Sequence, residues 1–246
     1  HVRSRRQRQM CIRDRADAPD EHAPDGPVAR RIASAIPYYP YKGIPRFYDI
    51  NGFLVRPDVF QLVIDVLAKR YAALEIDSIG GFDARGFVIG APLALALKKP
   101  FFMLRKPGKQ PNAVTSGAYE VEYGSRAGVS VPRGHPLSAE DPLKLSTVVK
   151  RGDRVLLVDD LVATGGTLAA GVELIHRLGA RVAECACVVE LKMFYDPPAG
   201  SGLPSRKALF EGKRIADVPV WALISEDILP VAGELPAGYE DDGEEH

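Results

Sequence analysis

Two adjacent carboxylates, Asp159 and Asp160, stand between an apolar run, Val155-Leu156-Leu157-Val158, and a small-residue segment, Ala163-Thr164-Gly165-Gly166-Thr167. That combination suits two unlike chemical groups. Small residues let backbone N–H groups curl around an anion, and a helix starting there adds unsatisfied donors and the positive end of its dipole. Thr164 and Thr167 add hydroxyls. Carboxylates repel phosphate, but they suit ribose hydroxyls or a divalent cation. Phosphate at one end and a diol at the other describes a ribose 5-phosphate. The plain alternative is an acidic turn before a glycine-rich helix start; Asp-Asp and Thr-Gly-Gly-Thr directly after an apolar strand weigh against it. No G-x-x-x-x-G-K-[ST] and no strand-linked G-x-G-x-x-G occurs, which excludes a P-loop and argues against a dinucleotide site.

The surrounding pattern supplies a scaffold. Pro57-Asp58 is a helix start, and Val59, Val63, Val66 and Leu67 recur at helical spacing. Residues 76–82 read as a buried strand, 86–97 as a helix, 100–104 as a strand, and 106–112 as a Pro-, Gly- and Lys-bearing loop. Residues 155–158 read as a strand and 167–178 as a helix closed by Gly179 at C′. Strands follow at 182–190 and 218–224. Such alternation implies right-handed βαβ units and a parallel sheet covered on both faces, with ligands beyond the strands' carboxyl ends.

The chain has 246 residues, 46% hydrophobic and 26% charged, with 32 basic and 32 acidic side chains. That composition reads as a globular protein without a general affinity for nucleic acid. No apolar run reaches a membrane span. Three cysteines form no disulfide framework and suit a reducing compartment, here taken as the cytoplasm. Cys185-Ala186-Cys187 reads as buried strand thiols rather than as metal ligands. The first 15 residues carry six arginines, and Asp, Pro and Ala follow. Residues 1–35 are therefore expected to be a disordered extension, as a transit peptide, a non-native leader or a misassigned coding start. A transferase domain over 36–230 and an acidic tail over 231–246 complete the expected organisation.

The run Val155 to Thr167 resembles the phosphoribosyl-diphosphate (PRPP) motif of type I phosphoribosyltransferases. Three further segments resemble the adenine phosphoribosyltransferases. Gly81-Phe82-Asp83-Ala84-Arg85-Gly86-Phe87 is similar to their pyrophosphate loop, Leu104-Arg105-Lys106-Pro107-Gly108-Lys109 to their basic loop, and Tyr119-Glu120-Val121-Glu122-Tyr123-Gly124 to their mobile catalytic loop. Upstream, Gly43-Ile44-Pro45-Arg46-Phe47-Tyr48-Asp49-Ile50 resembles the segment covering the base, in the form found in trypanosomatid-like enzymes. The resemblance spans about Ile36 to Ile224. It implies a Rossmann-like parallel sheet flanked by helices, a small hood over the base site, a homodimer, and conversion of adenine and PRPP to AMP and pyrophosphate. Residues 126–145 exceed the family's short connection and, with Pro132, Pro136 and Pro142, read as an inserted surface loop.

The resemblance implies roles residue by residue. Asp159, Asp160, Ala163, Thr164, Gly165, Gly166 and Thr167 hold the ribose and phosphate. Arg85 grips the diphosphate, which suits a guanidinium fork. A non-proline cis peptide is expected near Asp83-Ala84. Arg105, Lys106 and Lys109 neutralise diphosphate charge, with Arg105 also counted catalytic; a solvated turn is the plain alternative. Glu122 assists removal of the base proton, and Tyr123 is a lid contact. Arg46, Phe47 and Leu191 line the base, although Phe47 and Leu191 read equally well as core. Mg2+ is held mainly by the substrate, with Asp159 the protein carboxylate that could join it. His135 and His176 read as surface residues. Two alternatives remain open. Lys192, beside Leu191, could serve an oxopurine, giving a transferase for xanthine or guanine, with orotate as a further candidate base. A non-catalytic PRPP sensor would need a DNA-binding module that residues 1–35 do not resemble.

Overall fold

Every residue from Val155 to Val158 is fully buried, and the four part by alternation. Leu156 and Val158 enter one core cluster, Val155 and Leu157 the other. A strand covered on both faces needs no polar side, which is why its sequence is continuously apolar. Truncating Leu156 or Leu157 to Ala costs about 2–5 kcal/mol.

The computed structural model describes residues 21–41, 44–115, 119–121, 124–126, 129–132, 135–136, 145–146 and 149–230. The helices are α1 (Pro27–Ala33), α2 (Asn51–Leu54), α3 (Pro57–Tyr71), α4 (Arg85–Leu97), α5 (Gly166–Arg177) and α6 (Arg206–Gly212). The strands β1 (Tyr38–Tyr41) and β2 (Ile44–Tyr48) form a hairpin-like pair, followed by β3 (Ser78–Phe82), β4 (Phe101–Leu104) and β5 (Ala113–Thr115). Next come β6 (Tyr119–Val121), β7 (Gly124–Arg126), β8 (Ser130–Pro132), β9 (His135–Pro136) and β10 (Leu145–Ser146). The last are β11 (Arg154–Val158), β12 (Leu161–Val162), β13 (Arg181–Glu190) and β14 (Val220–Ser225).

The central sheet is parallel throughout, in the order β14-β13-β11-β3-β4, with β12 pairing the far end of β13. Val158 is in register with Gly81 and Ala186, Phe82 with Leu104, and Glu190 with Ser225. Every strand therefore leaves the sheet at one edge. Helices α1, α3 and α4 give Ile32, Val63, Leu67 and Ile89 to one core cluster. Helices α5 and α6 give Leu168, Val172 and Phe210 to the other. The β1–β2 pair stands apart as a small antiparallel unit, with Tyr39 opposite Phe47. Gly179 has φ 80° just beyond α5, in the left-handed conformation expected of a C′ glycine.

Three expectations change. The segment assigned as disordered through residue 35 is ordered in its second half. Ala29, Ile32, Ala33 and Ala35 are buried, with Pro27 starting α1. Apolar spacing of three and four residues gives even this short helix a core-facing stripe, which Asp-, Pro- and Ala-rich composition obscures. Residues 1–20 and 231–246 lie outside the described residues. Second, the supposed surface loop at 126–145 contains β8, paired antiparallel with β5. Val129, Ser130 and Val131 are buried there. Third, α6 has no counterpart among the expected elements.

Candidate active site

Strand ends place the polar residues. Val158 passes directly to Asp159 and Asp160, Phe82 to Asp83, Leu104 to Arg105, and Glu190 to Leu191. The chain then differs from a simple loop: Leu161 and Val162 form β12, in register with Val189 and Glu190, and Leu191 N–H donates to the Val162 carbonyl at 2.8 Å. The middle of the PRPP-type motif is thus pinned to the strand that carries Leu191.

Asp160 is buried, 4% exposed, and its carbonyl accepts from Val188 N–H and Val189 N–H, both at 3.0 Å. Asp159 Oδ1 accepts the Asp160 backbone N–H at 3.0 Å. Burial first, and the neighbouring Asp160 carboxylate second, hold Asp159 well above the usual carboxylate range. Burial also raises Asp160, while the Arg85 guanidinium pulls it back. Arg85 Nε lies 3.1 Å from Asp160 Oδ2. That oxygen is buried yet receives no aligned hydrogen bond, so an acceptor remains for a ligand hydroxyl or cation.

Helix α4 reaches this pair because residue 86 is glycine. A Cβ there would stand 2.5 Å from the Val158 carbonyl oxygen. The peptide Asp83-Ala84 is cis, at the position where the resemblance places such a bond. Arg85 also lies over the Phe47 ring, with Cζ 5.2 Å from its centroid, so one cation touches both the acidic pair and the base-covering strand. Phe47 packs in turn against Tyr41, ring centroids 5.1 Å apart. Arg46 is exposed on the same strand.

Arg105 is engaged rather than free. Its Nε contacts Asp83 Oδ2 at 3.2 Å, its guanidinium donates to the Lys109 carbonyl at 3.0 Å, and its backbone pairs with Ser130. It therefore braces the pyrophosphate-type loop against the basic turn. Lys106 and Lys109 are exposed on that turn. At the other end Gly165, φ 78°, starts α5, and Ala163 precedes the buried Thr164. Leu191 packs against the core, and the Glu226 carboxylate accepts the next two backbone N–H groups, Lys192 at 2.6 Å and Met193 at 3.4 Å. Lys192 Nζ is held by Asp227 at 2.6 Å. Glu122 and Tyr123 lie outside the described residues. Among those described, the structure brings together Asp159, Asp160, Arg85 and Phe47, and braces Arg105 against Asp83.

Sequence reasoning missed Asp83 as the partner of Arg105, although both directly follow neighbouring strands. It missed Glu226, which nothing in the local pattern marks. It also missed the Glu190–Arg206 ion pair behind the loop.

The phosphoribosyl transferase domain family matches residues 53–222. Adenine phosphoribosyltransferase 2 of Arabidopsis thaliana is 45% identical over 172 residues, 68% of this chain and 81% of that protein. Adenine phosphoribosyltransferase 1 of Triticum aestivum is 39% identical over 208 residues, 83% of this chain and 98% of that protein. The crystal structure of adenine phosphoribosyltransferase from Trypanosoma brucei, in complex with AMP, pyrophosphate and ribose-5-phosphate, superposes with a TM-score of 0.72 at 27% identity, covering 91% of this chain and 93% of that one. On this match over most of its length, the chain belongs to the phosphoribosyltransferase family, among the adenine phosphoribosyltransferases.

Proposed function

We propose that this chain moves the 5-phosphoribosyl group of PRPP onto adenine. The bond from C1′ to the diphosphate oxygen breaks, adenine N9 bonds to C1′, and the N9 proton leaves, giving AMP and pyrophosphate. The observation that carries the site assignment is the contact of Arg85 with Asp160 on one side and Phe47 on the other. It gathers anion ligand, ribose acceptor and base wall within one side chain's reach.

Asp159 and Asp160 accept the ribose hydroxyls and face the positive charge that develops on the sugar ring. Ala163 to Thr167 cradle the 5-phosphate with backbone donors and the start of α5. Arg85 turns to the diphosphate as it arrives, with Arg105, Lys106 and Lys109 behind it. Phe47, Arg46 and Leu191 hold the base, and Glu122 takes the proton while Tyr123 helps exclude water. The protein contributes orientation and charge, not a covalent nucleophile.

The donor set fits Mg2+ held mostly by substrate. Among the described residues no three acidic, His or Cys side chains converge, yet Asp160 Oδ2, paired with Arg85 but without an aligned hydrogen bond, lies beside Asp159. Asp159 and Asp160 would hold the ion together with diphosphate oxygens, and the ion would supply neutralising charge to the leaving group. Val88 and Leu95 on α4 and Met103 on the edge strand β4 are exposed apolar side chains, which supports burial against a second copy in a homodimer. No helix among the described residues is long and apolar enough to cross a membrane, and Cys185 and Cys187 are free thiols; we assign the protein to the cytoplasm. The transferase domain begins with α1 rather than at residue 36.

Lys192 is the one feature favouring an oxopurine, and its tie to Asp227 takes it away from that task. Purified protein with PRPP, Mg2+ and a panel of adenine, hypoxanthine, guanine, xanthine and orotate tests the assignment. AMP from adenine is expected; its absence overturns the proposal.

A further inference from the structure

Behind the phosphate-type loop lies a charged residue that the transfer reaction itself does not call on. Arg206 begins α6 and is 2% exposed. A lone buried guanidinium is costly, and it persists here through three contacts. It forms an ion pair with Glu190. It lies over the Tyr195 ring, Cζ 5.2 Å from the centroid. Its aliphatic stem fills the space that a side chain at Gly165 would need, since a Cβ there would meet Cγ and Cδ at 2.7 Å each. One terminal nitrogen, Nη1, is buried without a hydrogen-bond partner.

Each contact leads to a different part of the site. Gly165 is the left-handed residue from which α5 starts, and it has no side chain with which to cap that helix. Away from the ligand side it packs on the Arg206 stem and Phe210. Glu190 is the last residue of β13, paired with Val162 of the loop and Ser225 of β14, and Leu191 of the base wall follows it. We propose that Arg206 is a positioning residue for both halves of the site: its stem fixes the Gly165 turn that receives the 5-phosphate, and its ion pair with Glu190 ties that turn to the base wall.

The consequence is a coupled loss. Freed from Arg206, the Gly165 turn and the Glu190–Leu191 corner would shift separately, so PRPP and adenine affinity would fall together. A purely structural role would instead lower the melting temperature and the fraction of active protein while leaving both affinities alone. The proposal rests on Ala163 to Thr167 being the phosphate loop, so Thr167→Ala serves as a direct test of that reading alongside.

PRPP affinity is measured by calorimetry, and kcat and KM for both substrates by initial rates, on full-length Arg206→Met, Arg206→Lys and Glu190→Gln. Arg206→Met keeps an apolar stem but removes the ion pair that anchors it to Glu190, so the stem no longer holds the Gly165 turn in one place. It is expected to weaken PRPP binding and raise the adenine KM, each by about tenfold or more, the scale expected when a supporting group lets a site drift by a fraction of an ångström. Glu190→Gln is expected to do the same, and Arg206→Lys to recover part of the loss. Folded Arg206→Met with both affinities within about twofold of the parent overturns the proposal, since misplacement that small leaves no positioning role. If Arg206→Met does not fold, Glu190→Gln decides by the same criterion. If Thr167→Ala also leaves PRPP binding unchanged, it is the loop assignment that has failed. If Thr167→Ala weakens PRPP while Glu190→Gln and Arg206→Met do not, the loop stands and the positioning role falls.

Discussion

Gly86→Ala tests how α4 meets the acidic pair. A Cβ at residue 86 would stand 2.5 Å from the Val158 carbonyl oxygen and 3.3 Å from both Cα and Oδ1 of Asp159. The oxygen belongs to the backbone of a fully buried strand paired on both sides, so it cannot give. The first turn of α4 must retreat by about 0.9 Å to restore an ordinary 3.4 Å contact. Arg85 rides on that turn, and its 3.1 Å contact with Asp160 would open toward roughly 4 Å. At an effective dielectric of about 20 the attraction drops by roughly 1 kcal/mol, and solvent at Arg85, whose side chain is 41% exposed, screens part of that. The larger loss is geometric, because a misplacement of about 1 Å at a reacting site costs on the order of a hundredfold. Overpacking adds about 1–3 kcal/mol of destabilisation. Initial rates of AMP formation at varied PRPP, with thermal melting in parallel, measure both. Gly80→Ala is the control: its Cβ would crowd Phe102 and Leu104 at 2.6–2.9 Å, away from the acidic pair. It is expected to lose stability while keeping kcat/KM. Gly86→Ala with near-parental kcat/KM, or Gly80→Ala losing as much, refutes the account of why glycine stands at 86.

Three further outcomes follow from the site. Asp159 is held above the usual carboxylate range by burial and by Asp160, so kcat/KM for PRPP should fall as pH drops through that raised value, with the acid limb absent in Asp159→Asn. The stability sign is opposite: a carboxyl with a folded pKa above its unfolded one, about 4, stabilises the fold below the unfolded value and loses that contribution as pH rises through the folded one. Ligand-free Asp159→Asn should therefore melt higher than the parent at neutral pH; equal or lower melting contradicts this electrostatic assignment. Phe47→Ala should raise the adenine KM by an amount worth about 1–3 kcal/mol, the usual value of one base on an aromatic ring, with the PRPP KM moving less. An unchanged adenine KM removes Phe47 from the base site. Lys192→Met should leave the preference for adenine over hypoxanthine and guanine intact, because its ammonium is already committed to Asp227; a shift in the base panel would place Lys192 in the pocket.

Much of the frame was legible because two-sided burial leaves a one-dimensional trace. The continuous run at 155–158 and the helical spacing at 59–67 each follow from which faces are covered. Position was legible for the same reason: polar residues within a few positions of an apolar strand's end lie at the sheet's carboxyl edge, which located Asp159, Asp160, Arg85 and Arg105. What stayed hidden depends on contacts between distant segments. Nothing local distinguishes α1 from a weakly ordered leader until Ile32 finds the core, or the Val-Ser-Val of β8 from a loop until β5 pairs with it.

Arg206 is the extreme case. It follows a stretch rich in Pro, Gly and Ser and is itself followed by Lys207, so composition assigns it to solvent. Its burial depends on an absent Cβ at Gly165, forty-one positions earlier, and on a carboxylate at the far end of β13. The same glycine that the sequence offers as a phosphate-binding feature therefore has a second face. Toward the ligand it frees the backbone to turn; away from the ligand it admits the arginine stem. A substitution there would fail on both counts at once, which is why loss of function at Gly165 alone cannot separate them. The Arg206 and Glu190 variants can, because they alter only the side of the loop that the ligand never touches.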